Sequence, residues 1–170
     1  LELTLVPLAF GVGAALVTAV GGNVGAGQIG RARRIAWIGA GITLVVTSVI
    51  GISVALVPDL WVDRFTADPA VYAIAASYLS IAAPMYGVFG GGQTLYFASQ
   101  GTGYMVIPVI ITYTRFLVVA GFGLVATIFD LSLTTVFVGV AAGLSVVGIG
   151  QVLNVLRSPG WSHDLRRPAT

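Results

Sequence analysis

Five long runs of apolar residues constrain the fold of this chain more than any other feature. Each is about 20 residues or longer, the length that an α-helix needs to cross the hydrocarbon core of a bilayer. The runs cover residues 3–24, 35–57, 71–99, 105–128 and 133–156. They lack the ten-residue polar and apolar alternation of barrel strands. The sequence therefore predicts an all-α, polytopic membrane protein with five transmembrane helices in residues 1–156, and a polar cytoplasmic tail in residues 157–170.

The rarity of charged and metal-binding residues excludes several classes of protein. Only 8% of the residues are charged, whereas a soluble domain carries about 25%. A net charge of +2 is too small for a nucleic-acid interface. The sequence contains no Cys and one His, His163, so thiol nucleophiles and sites built on soft metal ligands are excluded. We therefore expect a lipid bilayer as the environment, and neither nucleic acid, a metal, a cofactor nor a catalytic residue.

The distribution of charges predicts how the helices are oriented, because cytoplasmic loops next to spans are enriched in Arg and Lys. One side receives the arginines at residues 31–34 and those of the tail, including Arg157. The opposite side contains five of the six acidic residues, namely Glu2, Asp59, Asp63, Asp68 and Asp130; the sixth, Asp164, lies in the tail. We therefore predict a protein of the cell membrane, with the N-terminus of this chain outside and the C-terminus in the cytoplasm.

The third run contains residues that disfavour a regular helix. Pro84 removes a backbone donor, and Gly90, Gly91 and Gly92 follow it within eight residues. Small residues favour close contact between helices in lipid. Alternatively, they accompany a discontinuous helix beside a substrate cavity, where freed backbone groups are satisfied. Both interpretations remain open, and both predict that these four residues let the helix bend.

Five residues in the third and fourth runs are candidates for lining a cavity. Tyr86, Phe89, Gln93 and Tyr96 recur at spacings of three and four, which places them on one face of a helix. Such a face either packs against other helices or forms a wall for a ligand. Arg115 is the one charged residue within the five runs, about 15 Å along its helix. Charge inside a membrane indicates a functional site by default, although Arg115 can also snorkel to the headgroups.

Three motifs resemble the multidrug and toxic compound extrusion (MATE) family of transporters. The first ends the first run and precedes the arginines of residues 31–34; its matching residues are Gly22, Asn23, Gly25, Ala26 and Gly27. The second comprises residues 65–69 with residues 76–81, similar to an outer loop and the helix after it. The third, residues 99–103, is similar to a short cytoplasmic turn, although Gln100 stands where Arg is common.

The resemblance implies a transporter rather than an enzyme. The family has twelve helices in two lobes that alternate access, and the five runs would be helices eight to twelve, with the N-terminal lobe missing. The resemblance implies export of drug-like, often cationic compounds in exchange for H⁺ or Na⁺. Because the third run has no carboxylate, the DinF-type branch is favoured, with the coupling ion bound outside this chain. A lipid-linked oligosaccharide flippase of the same superfamily and a non-transporting membrane scaffold remain alternatives.

Overall fold

The computed structural model describes residues 2–162, and within them it consists of α-helices, two 3₁₀ turns and short connections. The remainder of the predicted tail, including His163, lies outside the described residues. The helices are α1 (Glu2–Gly25), α2 (Ile29–Leu56), α3 (Asp59–Val62), α4 (Pro69–Ala82), α5 (Tyr86–Thr102), α6 (Val106–Ile128) and α7 (Leu133–Arg157). Five segments of the described chain are long and apolar enough to cross a membrane: α1, α2, α4 with α5, α6 and α7. The prediction of an all-α polytopic fold is confirmed.

The helices define two ends of the bundle. The connection from α2 to α4 and the connection from α6 to α7 meet at one end, which we call the aspartate end because Asp59, Asp63, Asp68 and Asp130 lie there. The first turns of α2 and the last turn of α7 meet at the other end, which we call the arginine end. The arginine end contains Arg31, Arg33, Arg34 and Arg157.

The connection between α1 and α2 is shorter than the sequence suggested, and α2 begins at Ile29 rather than near residue 35. The backbone N–H of Gln28 donates to the carbonyl of Asn23 at 2.8 Å, and that of Gly27 donates to Val24 at 2.9 Å. Gly27 adopts φ 75°, which glycine reaches without steric cost. This tight turn leaves the three arginines of residues 31–34 in the first two turns of α2 instead of in a loop.

The start of α4 follows directly from its sequence. The carboxylate of Asp68 accepts a hydrogen bond from the backbone N–H of Ala70 at 2.8 Å, and Pro69 occupies the first helical position. Both are favoured features of a helix N-terminus. Helix α3 lies within the preceding connection, where Asp59 accepts a hydrogen bond from the hydroxyl of Tyr72 on α4.

Helix α5 lies at the centre of the bundle and packs against α1, α2 and α7, whereas α6 packs mainly against α7. Two buried clusters hold these helices together. The cluster nearer the aspartate end consists of Leu5, Val54, Val62, Leu79, Ala83, Tyr86, Phe89, Leu144 and Val147. The cluster nearer the arginine end consists of Leu16, Val20, Ala32, Ala36, Ala40, Leu95, Ala98, Val155 and Trp161.

The glycines of α5 permit close packing between helices, and the role of Gly90, Gly91 and Gly92 in helix bending stays a prediction. All three lie inside the regular helix α5. A Cβ atom at Gly92 would lie 2.5 Å from the Cα of Gly148 on α7, and one at Gly90 would overlap the side chain of Thr47 on α2. The absence of side chains here therefore lets α5 approach α2 and α7 closely.

Candidate functional site

The third membrane segment is interrupted near its middle. A 3₁₀ turn, Ala83–Met85, separates α4 from α5. Pro84 at the centre of this turn has no N–H, so the regular helical hydrogen-bond pattern cannot continue through it. The 3₁₀ turn therefore lies directly before Tyr86, the first residue of α5 and of its candidate face.

The four candidate residues on α5 share a face but differ in accessibility. Tyr86 is fully buried and Phe89 is 3% exposed, and both belong to the cluster nearer the aspartate end. Gln93 and Tyr96, one and two turns further toward the arginine end, are half-buried. In this structure Tyr86 and Phe89 pack inside the bundle, so the accessible part of the face is formed by Gln93 and Tyr96.

Arg115 connects α6 to this face. Its guanidinium carbon lies 4.9 Å from the centroid of the Phe89 ring, within the range of a cation–π contact. Gly143 on α7 provides space beside it, because a Cβ atom there would lie 3.2 Å from the Cγ of Arg115. The half-buried Arg115 side chain thus covers the Phe89 ring, which satisfies part of its charge inside the membrane segment.

The opposite flank of the face is held by α1. The Phe97 ring stands edge-on to Tyr96 at a centroid distance of 5.7 Å and to Phe10 of α1 at 5.4 Å. Gly13 lets the Phe97 ring approach α1, because a Cβ atom there would lie 2.5 Å from the ring. The candidate face of α5 is therefore flanked by Phe97 against α1 and by Arg115 from α6.

Two buried amides that the sequence did not single out join three helices nearer the arginine end. Gln151 on α7 is fully buried and donates to the carbonyl of Pro108 on α6 at 3.2 Å. Asn154 donates at 3.0 Å to the hydroxyl of Ser99 on α5, which donates to the carbonyl of Leu95. Within the described chain, the carboxamide oxygens of Gln151 and Asn154 have no hydrogen-bond partner. Gly148, Gln151 and Asn154 follow one another at intervals of three residues on α7, and this spacing was the available signal in the sequence.

The residues of the first family motif form the turn at the arginine end. Gly22, Asn23 and Gly25 complete the last turns of α1, and Ala26 and Gly27 begin the connection to α2. The side-chain amide of Asn23 donates to the carbonyl of Ala19 at 2.7 Å. The motif therefore fixes the point at which α2 and its arginines begin.

The ionisable groups of the described residues do not form a metal site. No group of three or more His, Cys, Asp or Glu residues within the described chain is close enough to hold an ion. The carboxylates in this part of the chain belong to Glu2 and to the aspartates that define the aspartate end. Arg115 lies within a membrane helix, with its guanidinium group in contact with the Phe89 ring.

Comparison with known proteins identifies the family. The MatE family model matches residues 1–120 of the 170, which include α1, α2, α4, α5 and the part of α6 that carries Arg115. No curated protein and no solved structure matches the chain. The match covers the interrupted third segment and both flanks of the face described above. Because the family model spans more than half of the sequence, the chain belongs to the MatE family of membrane transporters.

Proposed function

We propose that this chain forms most of the C-terminal lobe of a secondary antiporter, which exports drug-like, cationic or amphipathic compounds in exchange for H⁺ or Na⁺. Membership of a transporter family and five long apolar helices support a role in transport across a bilayer. The arrangement of charges supports a protein of the cell membrane with its arginine end in the cytoplasm, since basic residues accumulate on that side.

The contact between Arg115 and Phe89 is the observation that carries the proposal. It places a permanent cation against an aromatic ring, and the half-buried Gln93 and Tyr96 follow about one and two turns further along α5. Aromatic rings with a few polar groups are the typical lining of a small-molecule site. An amphipathic substrate would gain apolar contact with Tyr96 and a hydrogen bond from Gln93.

The positions of the described carboxylates support a coupling-ion site away from this face. An intramembrane cation or proton site is usually built on Asp or Glu. The described carboxylates lie at the aspartate end rather than on the face of α5. We therefore place the coupling site in the partner lobe, outside this chain, as in the DinF-type branch.

A transport assay tests the proposal directly. The complete transporter, with both lobes, is reconstituted into vesicles and loaded with a fluorescent cationic dye, and a pH gradient or a Na⁺ gradient is then imposed. We expect one of the two gradients to drive dye movement. Dye that does not move under either gradient would overturn the antiport proposal and favour a scaffold.

The same vesicles distinguish the flippase. A lipid-linked oligosaccharide carries a pyrophosphate, which calls for several cations inside the cavity. In the described membrane helices Arg115 is remote from the arginines of residues 31–34 and from Arg157 at the arginine end. Movement of the lipid-linked oligosaccharide without movement of dye would replace the antiporter with the flippase.

A further inference from the structure

Three arginines occupy the first two turns of α2, at the arginine end of the bundle. Arg31, Arg33 and Arg34 follow the helix start at Ile29. The start of a helix carries a partial positive charge, so cations there are electrostatically unfavourable. The first turn of α2 contains no acidic residue to offset them. A bound anion would therefore relieve the repulsion among these charges and with the helix dipole.

The described chain does not provide that anion. Between residues 2 and 162 the aspartates lie in the connections of the aspartate end or in α3, across the length of α2 from these arginines. Arg33 turns into the bundle and donates to the backbone carbonyl of Trp161 at 3.1 Å. Arg31 reaches the amide oxygen of Gln28 at 3.5 Å, a neutral acceptor. Within residues 2–162 the aspartates thus lie far from Arg31 and Arg34, whose exposed guanidinium groups are available to an anion.

The surface between Arg31 and Arg34 has the shape and chemistry for such an anion. The two residues are three apart and therefore neighbours on one helix face. They line an open recess of about 570 Å³, together with Gly30, Ile35 and Ile38. Ile38, one turn deeper along α2, is 55% exposed. Charge at the mouth of the recess and apolar side chains below it match a molecule with an anionic head and a hydrocarbon tail.

We propose that Arg31 and Arg34 form a binding site for the headgroup of an anionic phospholipid, with the acyl chain lying along Ile35 and Ile38. The guanidinium groups pair with the phosphate, as Arg does at other phosphate sites. The position at the end of an apolar helix places the recess at headgroup depth of the leaflet next to the arginine end. The bound lipid would anchor the start of α2, which the turn at Gly27 holds close to α1.

Lipid retention by the purified full chain in detergent tests this site. Native mass spectrometry and thermal unfolding are recorded with phosphatidylglycerol, with phosphatidylcholine and with inorganic phosphate. We expect phosphatidylglycerol to be retained preferentially and to raise the unfolding temperature. In an R31Q/R34Q double variant the affinity for phosphatidylglycerol should fall about thirtyfold, roughly fivefold for each charge removed.

Two control variants separate the site from general effects of charge and folding. Arg64→Gln removes an exposed arginine at the aspartate end and should leave retention unchanged. Ile38→Ser should weaken binding of the phospholipid but not of inorganic phosphate. Equal retention of both lipids, or full retention of phosphatidylglycerol by the folded R31Q/R34Q variant, would overturn the proposal. Complete competition by inorganic phosphate, with no effect of Ile38→Ser, would show a site for a small anion and would also overturn it.

Discussion

The guanidinium group of Arg115 lies over the ring of Phe89, with its central carbon 4.9 Å from the ring centroid. The contact joins α6 to α5 across the position where Gly143 of α7 leaves space. A cation–π contact of this kind contributes about 0.5 to 2 kcal/mol, more where water is excluded. It supplies a physical reason for an arginine within a membrane helix.

Replacing Arg115 tests whether this contact matters for transport. Arg115→Ala should lower dye efflux by the complete transporter at least severalfold without lowering its abundance in the membrane, because the Phe89 ring loses its cationic partner. Arg115→Lys should retain part of the activity, since an ammonium also binds an aromatic face but lacks the planar guanidinium. The measurement is initial efflux rate normalised to protein detected in membranes. Wild-type rates in Arg115→Ala would remove Arg115 from the site.

Gln93 is the polar residue on the accessible part of the α5 face. Gln93→Ala should reduce dye efflux, and mainly by raising the apparent KM, because a hydrogen bond to bound substrate would be lost. Gln100→Ala provides a matched control on the same helix, since Gln100 is exposed at the arginine end. It should leave the KM unchanged. Equal changes in KM for Gln93→Ala and Gln100→Ala would mean that the α5 face makes no specific contact with the substrate.

Helices α5 and α7 are in close contact at Gly148, so adding a side chain there should lower the free energy of unfolding. A Cβ atom at Gly148 would overlap both the side chain and the backbone oxygen of Val88. Gly148→Ala should therefore destabilise the protein by about 1 to 3 kcal/mol, as overpacking does, and lower the unfolding temperature in detergent. Gly121→Ala on α6 is the control, because nothing lies within 4 Å of its added Cβ. A similar unfolding temperature for both variants would contradict the tight α5–α7 contact.

The number of long helices and their α-helical type could be predicted from the sequence, because both depend on the length and pattern of apolar runs along the chain. The length of an apolar run decides whether it can span a bilayer. Local chemistry likewise determined the interruption at Pro84 and the start of α4, where Asp68 and Pro69 satisfy the first turn. These features require no knowledge of how the helices pack.

The sequence did not predict which side of each helix packs against other helices and which side contacts lipid. Membrane helices are apolar on nearly all sides, so hydrophobic periodicity does not identify which side contacts protein and which contacts lipid. The burial of Tyr86 and Phe89, and of Gln151 on α7, depends on helix rotation and on glycines in neighbouring helices. The functional roles of Tyr86, Phe89, Gln93, Tyr96 and Arg115 stay predictions.

The hydrogen bond between Asn154 and Ser99 predicts an energetic coupling between α7 and α5. The amide of Asn154 donates to the Ser99 hydroxyl at 3.0 Å, and both side chains are buried. Hydrogen bonds between membrane helices contribute about 0.6 kcal/mol on average and up to about 1.7 kcal/mol. A double-mutant cycle with Ser99→Ala and Asn154→Leu should therefore give a coupling free energy of unfolding in this range, because each single variant already removes the bond.

Thr94 offers a matched control for this cycle, because it is also buried on α5 but its hydroxyl donates to the carbonyl of Gly90 on its own helix. Thr94→Val removes a hydroxyl of similar burial without touching a bond to α7. Combined with Asn154→Leu, its effect on the free energy of unfolding should be additive within about 0.5 kcal/mol. Additivity of the Ser99 and Asn154 substitutions as well would mean that the bond does not hold α5 to α7, and that apolar and glycine packing join the two helices.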